Sequence, residues 1–365
     1  MEIQEIIDLY YKRKEEREKN LLDFFNTHKN KFLIAQRVPS EISGQCNTIE
    51  QIYNSNIKYF EEFLLLDWTD EIPYLQPWIG TGVYANAFGC EYEWWDNDAP
   101  ATHYKYHKIE QVKDIQYPDY KKSPIMTMVL ECIDYLKERT LGKLPISLTD
   151  TQSPFDTATL VLDTAEFFTA CYINEEIVLD FMEKITNLII EFSKIQIQRI
   201  GEGLLAKPGQ IMPSSTSYRG ISISDDNLAV SSPQINEKIA LPFNQKIADA
   251  FNGLAIHSCG KWTHTMAKLK HMRNILMIDC AITTESDPTP NIAAEVRDAM
   301  KGSNIITKVR TGTNIEQALP ILKELFDPSI KLIVGIEYSR ENYSPEKAEN
   351  NYKIVKDLLN GLYNS

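Results

Sequence analysis

Along the second half of the chain, apolar residues come in short runs of strand length, each followed by a longer stretch with helical spacing. The runs are Leu144–Leu148, Gly220–Ser224, Gly253–His257, Asn274–Ile278, Asn304–Val309 and Lys331–Ile336. Amphipathic segments lie between or after them at Gln234–Phe251, Thr263–Met272, Ile292–Lys301, Ile315–Phe326 and Pro345–Leu362. Continuously apolar strands suit a parallel sheet buried on both faces, and strict alternation with helices argues for βα units. Two earlier segments, near Phe32–Gln36 and Leu75–Ile79, bring the strands to eight, although Pro77 in Tyr74–Trp78 is awkward inside a central strand. Asn174–Gly201 reads as one or two helices with a core-facing stripe of Ile177, Phe181, Ile185, Leu188, Phe192 and Ile195. The pattern predicts one domain, a (β/α)8 TIM barrel over 71–365 with a helical N-terminal extension over 1–70. An open dinucleotide-binding sheet is disfavoured. Its glycine loop has one candidate, Gly80-Thr81-Gly82-Val83-Tyr84-Ala85, and the aromatic stretch Asn86–Trp95 after it is not a helix, so this reads as a turn.

Composition narrows the function classes. With 43% hydrophobic and 24% charged residues, the 365-residue chain has enough apolar content for a sizeable core. Its net charge of −13 disfavours nucleic acid and anionic membrane surfaces as partners. No run approaches the roughly 20 apolar residues of a membrane span, and Met1–Asn20 is charged and helical, unlike a signal peptide. Six cysteines without regular close spacing read as reduced thiols in a cytoplasm.

In parallel α/β barrels, chemistry sits at the C-terminal strand ends. Here they carry Asp150, Asp225-Asp226, His257-Ser258-Cys259-Gly260, Asp279-Cys280, Arg310 and Glu337-Tyr338. His257 and Cys259 are two apart, so on an extended strand end their side chains point the same way. Imidazole and thiolate are good zinc ligands. A third ligand is open between Glu337 and Cys280, and without one the pair is a buried cysteine beside a hydrogen-bonded histidine. His103 and His107 suit a surface strand. Trp94-Trp95 could line a pocket or cover the core edge, and His264 and His271 suit one exposed helix face. No nucleophile elbow, phosphate loop or His-Glu-x-x-His motif is present.

Three stretches resemble the uroporphyrinogen decarboxylase superfamily, a family of (β/α)8 barrels. They are Leu144–Thr157 (LPISLTDTQSPFDT), Ile221–Pro242 (ISISDDNLAVSSPQINEKIALP) and Ala255–Lys261 (AIHSCGK). Together they span most of residues 140–265, and the first 70 residues match only loosely. The decarboxylases of that family bind a polyanionic tetrapyrrole through an arginine-rich N-terminal segment. This chain has only Gln36-Arg37-Val38-Pro39 there, and its acidic balance disfavours a substrate with eight carboxylates. The other branch comprises zinc-dependent methyltransferases working between a corrinoid protein and a thiol, with zinc held by His-x-Cys and a late cysteine. His257 and Cys259 match the first two. Gly335-Ile336-Glu337-Tyr338 stands where the third would fall.

The resemblance therefore implies a methyltransferase that moves a methyl group between a corrinoid (cobalamin), presented by a partner protein, and a small acceptor. Zinc would be held by His257, Cys259 and Glu337, with Cys280 as alternative third ligand. Asp225, Asp279 and Asp150 are the candidate catalytic acids. Tyr218, Asp226, Arg310 and Trp94 are candidate substrate contacts. Two alternatives stand beside this. One is a metal-free decarboxylase-like lyase using Asp70 or Asp150 with Arg37 or Arg310. The other is a non-catalytic corrinoid- or tetrapyrrole-binding module. The course of residues 86–120 and 207–218, which shapes the pocket, has no legible pattern.

Overall fold

A computed structural model describes residues 1–27 and 31–364. Its main sheet is built from six parallel strands: β1 (Phe32–Arg37), β4 (Ile221–Ser224), β5 (Leu254–His257), β6 (Ile275–Ala281), β7 (Ile306–Thr311) and β8 (Leu332–Glu337). Two short strands, β2 (Glu91–Glu93) and β3 (Ala101–His103), pair as a separate antiparallel hairpin. The main order is β1-β8-β7-β6-β5-β4. The predicted strands from Gly220 onward are all present, and so are the helices between them.

Two irregular segments complete the ring between β4 and β1. Leu75 donates to Pro145 O at 2.8 Å, and Ser147 donates to Leu75 O at 2.9 Å. Ser224 donates to Thr151 O and Ser153 to Ser224 O, at 3.0 and 2.7 Å. These are the positions of the expected Leu75–Ile79 and Leu144–Leu148 strands. They form single bridges rather than regular ladders. Pro73, Pro77 and Pro145 remove the amide donors a full ladder needs. At the other edge, side chains replace a strand: Ile34 N donates to Asp70 Oδ2 at 3.0 Å and Gln36 N to Glu71 Oε2 at 2.6 Å.

The N-terminal boundary needs correction. β1 lies inside the 1–70 segment assigned to a helical extension, and it pairs with β8 along its whole length. Among the described residues, the helix Ile3–Leu22 and the short π-helical turn Asp23–Thr27 precede the barrel; Ile49–Leu64 follows β1 as a layer helix. Asn174–Gly201 is one 26-residue helix, Glu175–Ile200. Glu175 and Glu176 stand in its first turn and Arg199 in its last, each complementing the helix dipole. Phe181, Ile185, Leu188 and Phe192 are buried on its inner face. The Gly80–Ala85 stretch is a turn leading into a five-residue helix, Val83–Ala87.

Strand register fixes which side chains enter the barrel. Paired residues in a parallel sheet share a face, and faces alternate along each strand. His257 pairs with Asp279, and Asp279 with Lys308. Arg310 pairs with Gly335, and Arg37 with Glu337. These residues therefore form one polar interior layer at the C-terminal rim. Cys280 pairs with Val309 on the opposite face, toward the helices.

Candidate active site

The C-terminal mouth holds a cleft of about 380 Å³, and Arg37, Glu71, Trp78, Asp150, Asp226, His257, Cys259, Lys308, Arg310 and Glu337 are among the residues that line it. Behind its lining, Asp279 is wholly buried near the end of β6 and ties three of the lining side chains together. One carboxylate oxygen pairs with Lys308 Nζ. The other lies 2.6 Å from His257 Nδ1 and 2.9 Å from Arg310 Nε. Burial alone would raise this carboxyl, but Lys308 and Arg310, with His257, reverse that and hold it well below the usual carboxylate range.

Because Nδ1 is committed to Asp279, His257 presents Nε2 to the cleft. Cys259 Sγ is 3.4 Å from Nε2 and Asp226 Oδ1 is 3.6 Å from it. Burial would lower the imidazole pKa; its bonds to Asp279 and Cys259 outweigh that and raise it to about 9. Asp226 is itself fixed by accepting the Cys259 amide at 2.7 Å. Ligand atoms of Asp226, His257 and Cys259 all lie within 4.8 Å of one another. Among the described residues no other set of His, Cys, Asp and Glu gathers in this way.

This donor set fits a divalent metal such as zinc. It offers one nitrogen, one sulfur and one oxygen, as catalytic zinc sites do with a fourth position left open. The Asp279–His257 bond is the carboxylate–histidine pairing that orients metal-binding imidazoles. The proton at Nε2 stands where an ion would replace it.

The third donor differs from expectation. Glu337 lines the cleft, but Arg37 Nη1 holds it at 3.0 Å and Arg310 Nη1 stands 3.7 Å from its other oxygen. Arg310 also reaches Cys259 Sγ at 3.9 Å, so its guanidinium separates Glu337 from the thiol. Cys280 is buried on the far face of β6, and burial pushes its thiol pKa up. Asp226, expected as a substrate contact, is the carboxylate that gathers with His257 and Cys259. Two further residues lie away from the cleft. Tyr218 is buried, stacked on Phe25 with centroids 3.9 Å apart, and donates to Leu21 O. Trp94 is 38% exposed on the loop after β2.

Asp150 and Asp225 differ in place. Asp150 lines the cleft, oriented by Trp78 Nε1, Gln152 Nε2 and Gln210 Nε2 at 2.9, 2.8 and 2.9 Å. Burial raises its pKa, and Gln152 and Trp78 pull it back in part. Asp225 is fully buried behind β4 and takes a hydrogen bond from Asn244 at 2.6 Å. Burial pushes its pKa up to about 7, against the bonds from Asn244 and Ser153. It supports the loop rather than touching the cleft.

Sequence reading missed Lys308, Glu71, Trp78, Gln152 and Gln210. Lys308 had a signal, since it stands two residues before Arg310 on the same strand and so on the same face. Gln152 stands two residues past Asp150. Glu71, Trp78 and Gln210 belong to irregular segments with no periodicity to read.

The family model for uroporphyrinogen decarboxylase matches residues 80–205. That stretch carries Asp150 and Gln152 and ends before His257 and Cys259. In fold, the chain is similar to a methyltransferase from Methanosarcina mazei, with a TM-score of 0.65 and 13% sequence identity, over 93% of this chain and 98% of that one. Over residues 80–205 the chain is thus similar to uroporphyrinogen decarboxylase, and the structural likeness agrees with an α/β barrel. No curated protein matches its sequence. Within the barrel, the irregular Leu75 and Ile146 segments bring Trp78 and Asp150 to the mouth beside β4 and β5. No helix among the described residues is long and apolar enough to cross a membrane.

Proposed function

We propose that this protein is a methyltransferase that moves a methyl group between a corrinoid and a small acceptor at a zinc ion in the barrel mouth. The observation that carries this reading is the presentation of His257 Nε2 to Cys259 Sγ and Asp226 Oδ1, with Nδ1 tied back to Asp279. Zinc there would lower the pKa of a bound thiol or water and keep it nucleophilic at neutral pH. The chain's own residues do the rest. Asp279 fixes the imidazole tautomer. Arg310 balances the added negative charge of Cys259 and Glu337. Asp150, held by three neutral donors, offers an oriented acceptor for a polar substrate group. The corrinoid comes on a partner protein that covers the mouth, in a cytoplasm where the six unpaired cysteines stay reduced.

Elemental analysis tests the reading. Purified protein is expected to hold close to one zinc per chain, and Cys259→Ser and Asp226→Asn to lose most of it. Methylcobalamin with 2-mercaptoethanol then supplies a transfer assay. Protein without stoichiometric zinc, or zinc indifferent to both substitutions, refutes the site.

A second reading is favoured by one feature. Arg37, Lys308 and Arg310 line the same cleft as Asp150 and Glu71. Such cations can hold a carboxylate while an acid protonates the carbanion left by its loss, as a metal-free decarboxylase-like lyase would require. Carbon dioxide release without metal dependence would support that alternative.

A further inference from the structure

The cleft has two walls. His257, Cys259 and Asp226 form one, and the other, beside β1, carries a carboxyl that the reading above leaves without a role. We propose that Glu71 is the acid–base residue of this cleft, receiving the proton that the acceptor gives up during transfer. The assignment rests on the cleft being a reaction site, as argued above.

Four observations support it. Glu71 lines the cleft. Its Oε2 is pinned at 2.6 Å by the Gln36 amide on the open edge of β1, which holds the carboxyl in place. No cation pairs with it among the described residues, whereas Glu337 is held by Arg37 and Asp279 by Lys308 and Arg310. It also stands among weakly polar neighbours, Tyr59, Ile72 and Tyr74. A carboxyl that is anchored, unpaired and partly dry can hold or release a proton without breaking a salt bridge.

The charged and titratable groups that face Glu71 come from several elements. They are Lys308 on β7, Arg17 on the first helix, Tyr59 on the second, Tyr218 ahead of β4, and Asp70 and Tyr74 on its own segment, with Arg37 of β1 lining the same cleft. Burial dominates. It pushes the Glu71 pKa up to about 7, against the Gln36 amide and the Lys308 charge. That value suits proton exchange near neutral pH.

The acceptor R–SH loses its proton to the Glu71 carboxylate. The sulfur electron pair forms the new S–C bond. The cobalt–carbon bond breaks with its electron pair left on cobalt, so Co(III)–CH3 becomes Co(I) and R–S–CH3 is released.

The test is the pH profile of methyl transfer from methylcobalamin to 2-mercaptoethanol by the zinc-loaded protein. Wild type is expected to show a rate that rises with pH through a midpoint near 7. Glu71→Gln is expected to lose that limb and at least 100-fold in rate, the lower range of general base catalysis. Glu71→Asp is expected to restore a limb at a displaced pH. Thermal midpoints of both variants establish that they fold. In infrared difference spectra across the same pH range, a protonated-carboxyl band is expected in wild type and not in Glu71→Gln. An active wild type whose limb survives in Glu71→Gln overturns the role of Glu71 alone. So does a rate loss uniform across pH, or a missing infrared band. A wild type that holds zinc yet transfers no methyl group overturns the methyltransferase reading, and this role with it.

Discussion

Replacing Asp279 with asparagine removes the buried negative charge shared by Lys308, Arg310 and His257. Asp279 has no solvent exposure, and the Lys308 and Arg310 side chains are only 7% and 5% exposed. Two cations would remain in the barrel interior with no carboxylate between them. Breaking a buried ion pair from one side costs about 3–5 kcal/mol, because the surviving charge stays desolvated. At roughly 2.1 cal/mol/K of unfolding entropy per residue, that lowers Tm by about 4–7 °C for a 365-residue chain. The asparagine also cannot hold the His257 ring as a carboxylate does, so zinc affinity is expected to fall about 10- to 100-fold. Calorimetry reads the first effect and competition with a chromogenic chelator the second. Lys308→Met in the Asp279→Asn background should cost less than the two single losses added together, since it removes one stranded charge; the coupling should be about 0.5–3 kcal/mol. A Tm within about 1 °C of wild type together with unchanged zinc affinity would show that Asp279 neither offsets the two buried cations nor orients His257.

Other predictions rest on separate features. Glu71 has a folded pKa raised to about 7, against roughly 4.3 when unfolded. Between those values the folded state binds more protons, so stability falls as pH rises and the cost is complete above pH 7. Glu71→Gln should therefore be more stable than wild type by up to about 3–4 kcal/mol at pH 8 and by only about 1 kcal/mol at pH 5, as urea titrations at both pH values would show. Gly220 has φ +78°, and a Cβ there would lie 2.5 Å from the Gly253 backbone. Gly220→Ala should destabilise by about 2–4 kcal/mol, through overpacking plus backbone strain at the start of β4. Asp150→Leu strands the donors of Trp78, Gln152 and Gln210. It should cost about 1–3 kcal/mol per buried donor that finds no water, visible as a lower denaturation midpoint.

The pattern of apolar runs determined the class of fold, because only a parallel sheet covered by helices buries such strands on both faces. Strand-end logic also marked His257, Cys259, Asp279 and Arg310, since the ends of β5, β6 and β7 face one mouth whatever the loops do. Sequence could not say which third donor meets them. Along the chain Glu337 was the expected third ligand and Cys280 its alternative. Strand parity turns Cys280 outward, and two arginines claim Glu337, leaving Asp226 beside the imidazole. The second wall of the cleft was invisible for a different reason. Trp78 and Glu71 sit on segments whose prolines abolish regular strand pairing, so no periodicity reports their direction. Their places are set by contacts across about 70 residues to Asp150 and about 35 residues to β1, and such contacts exist only once the barrel closes.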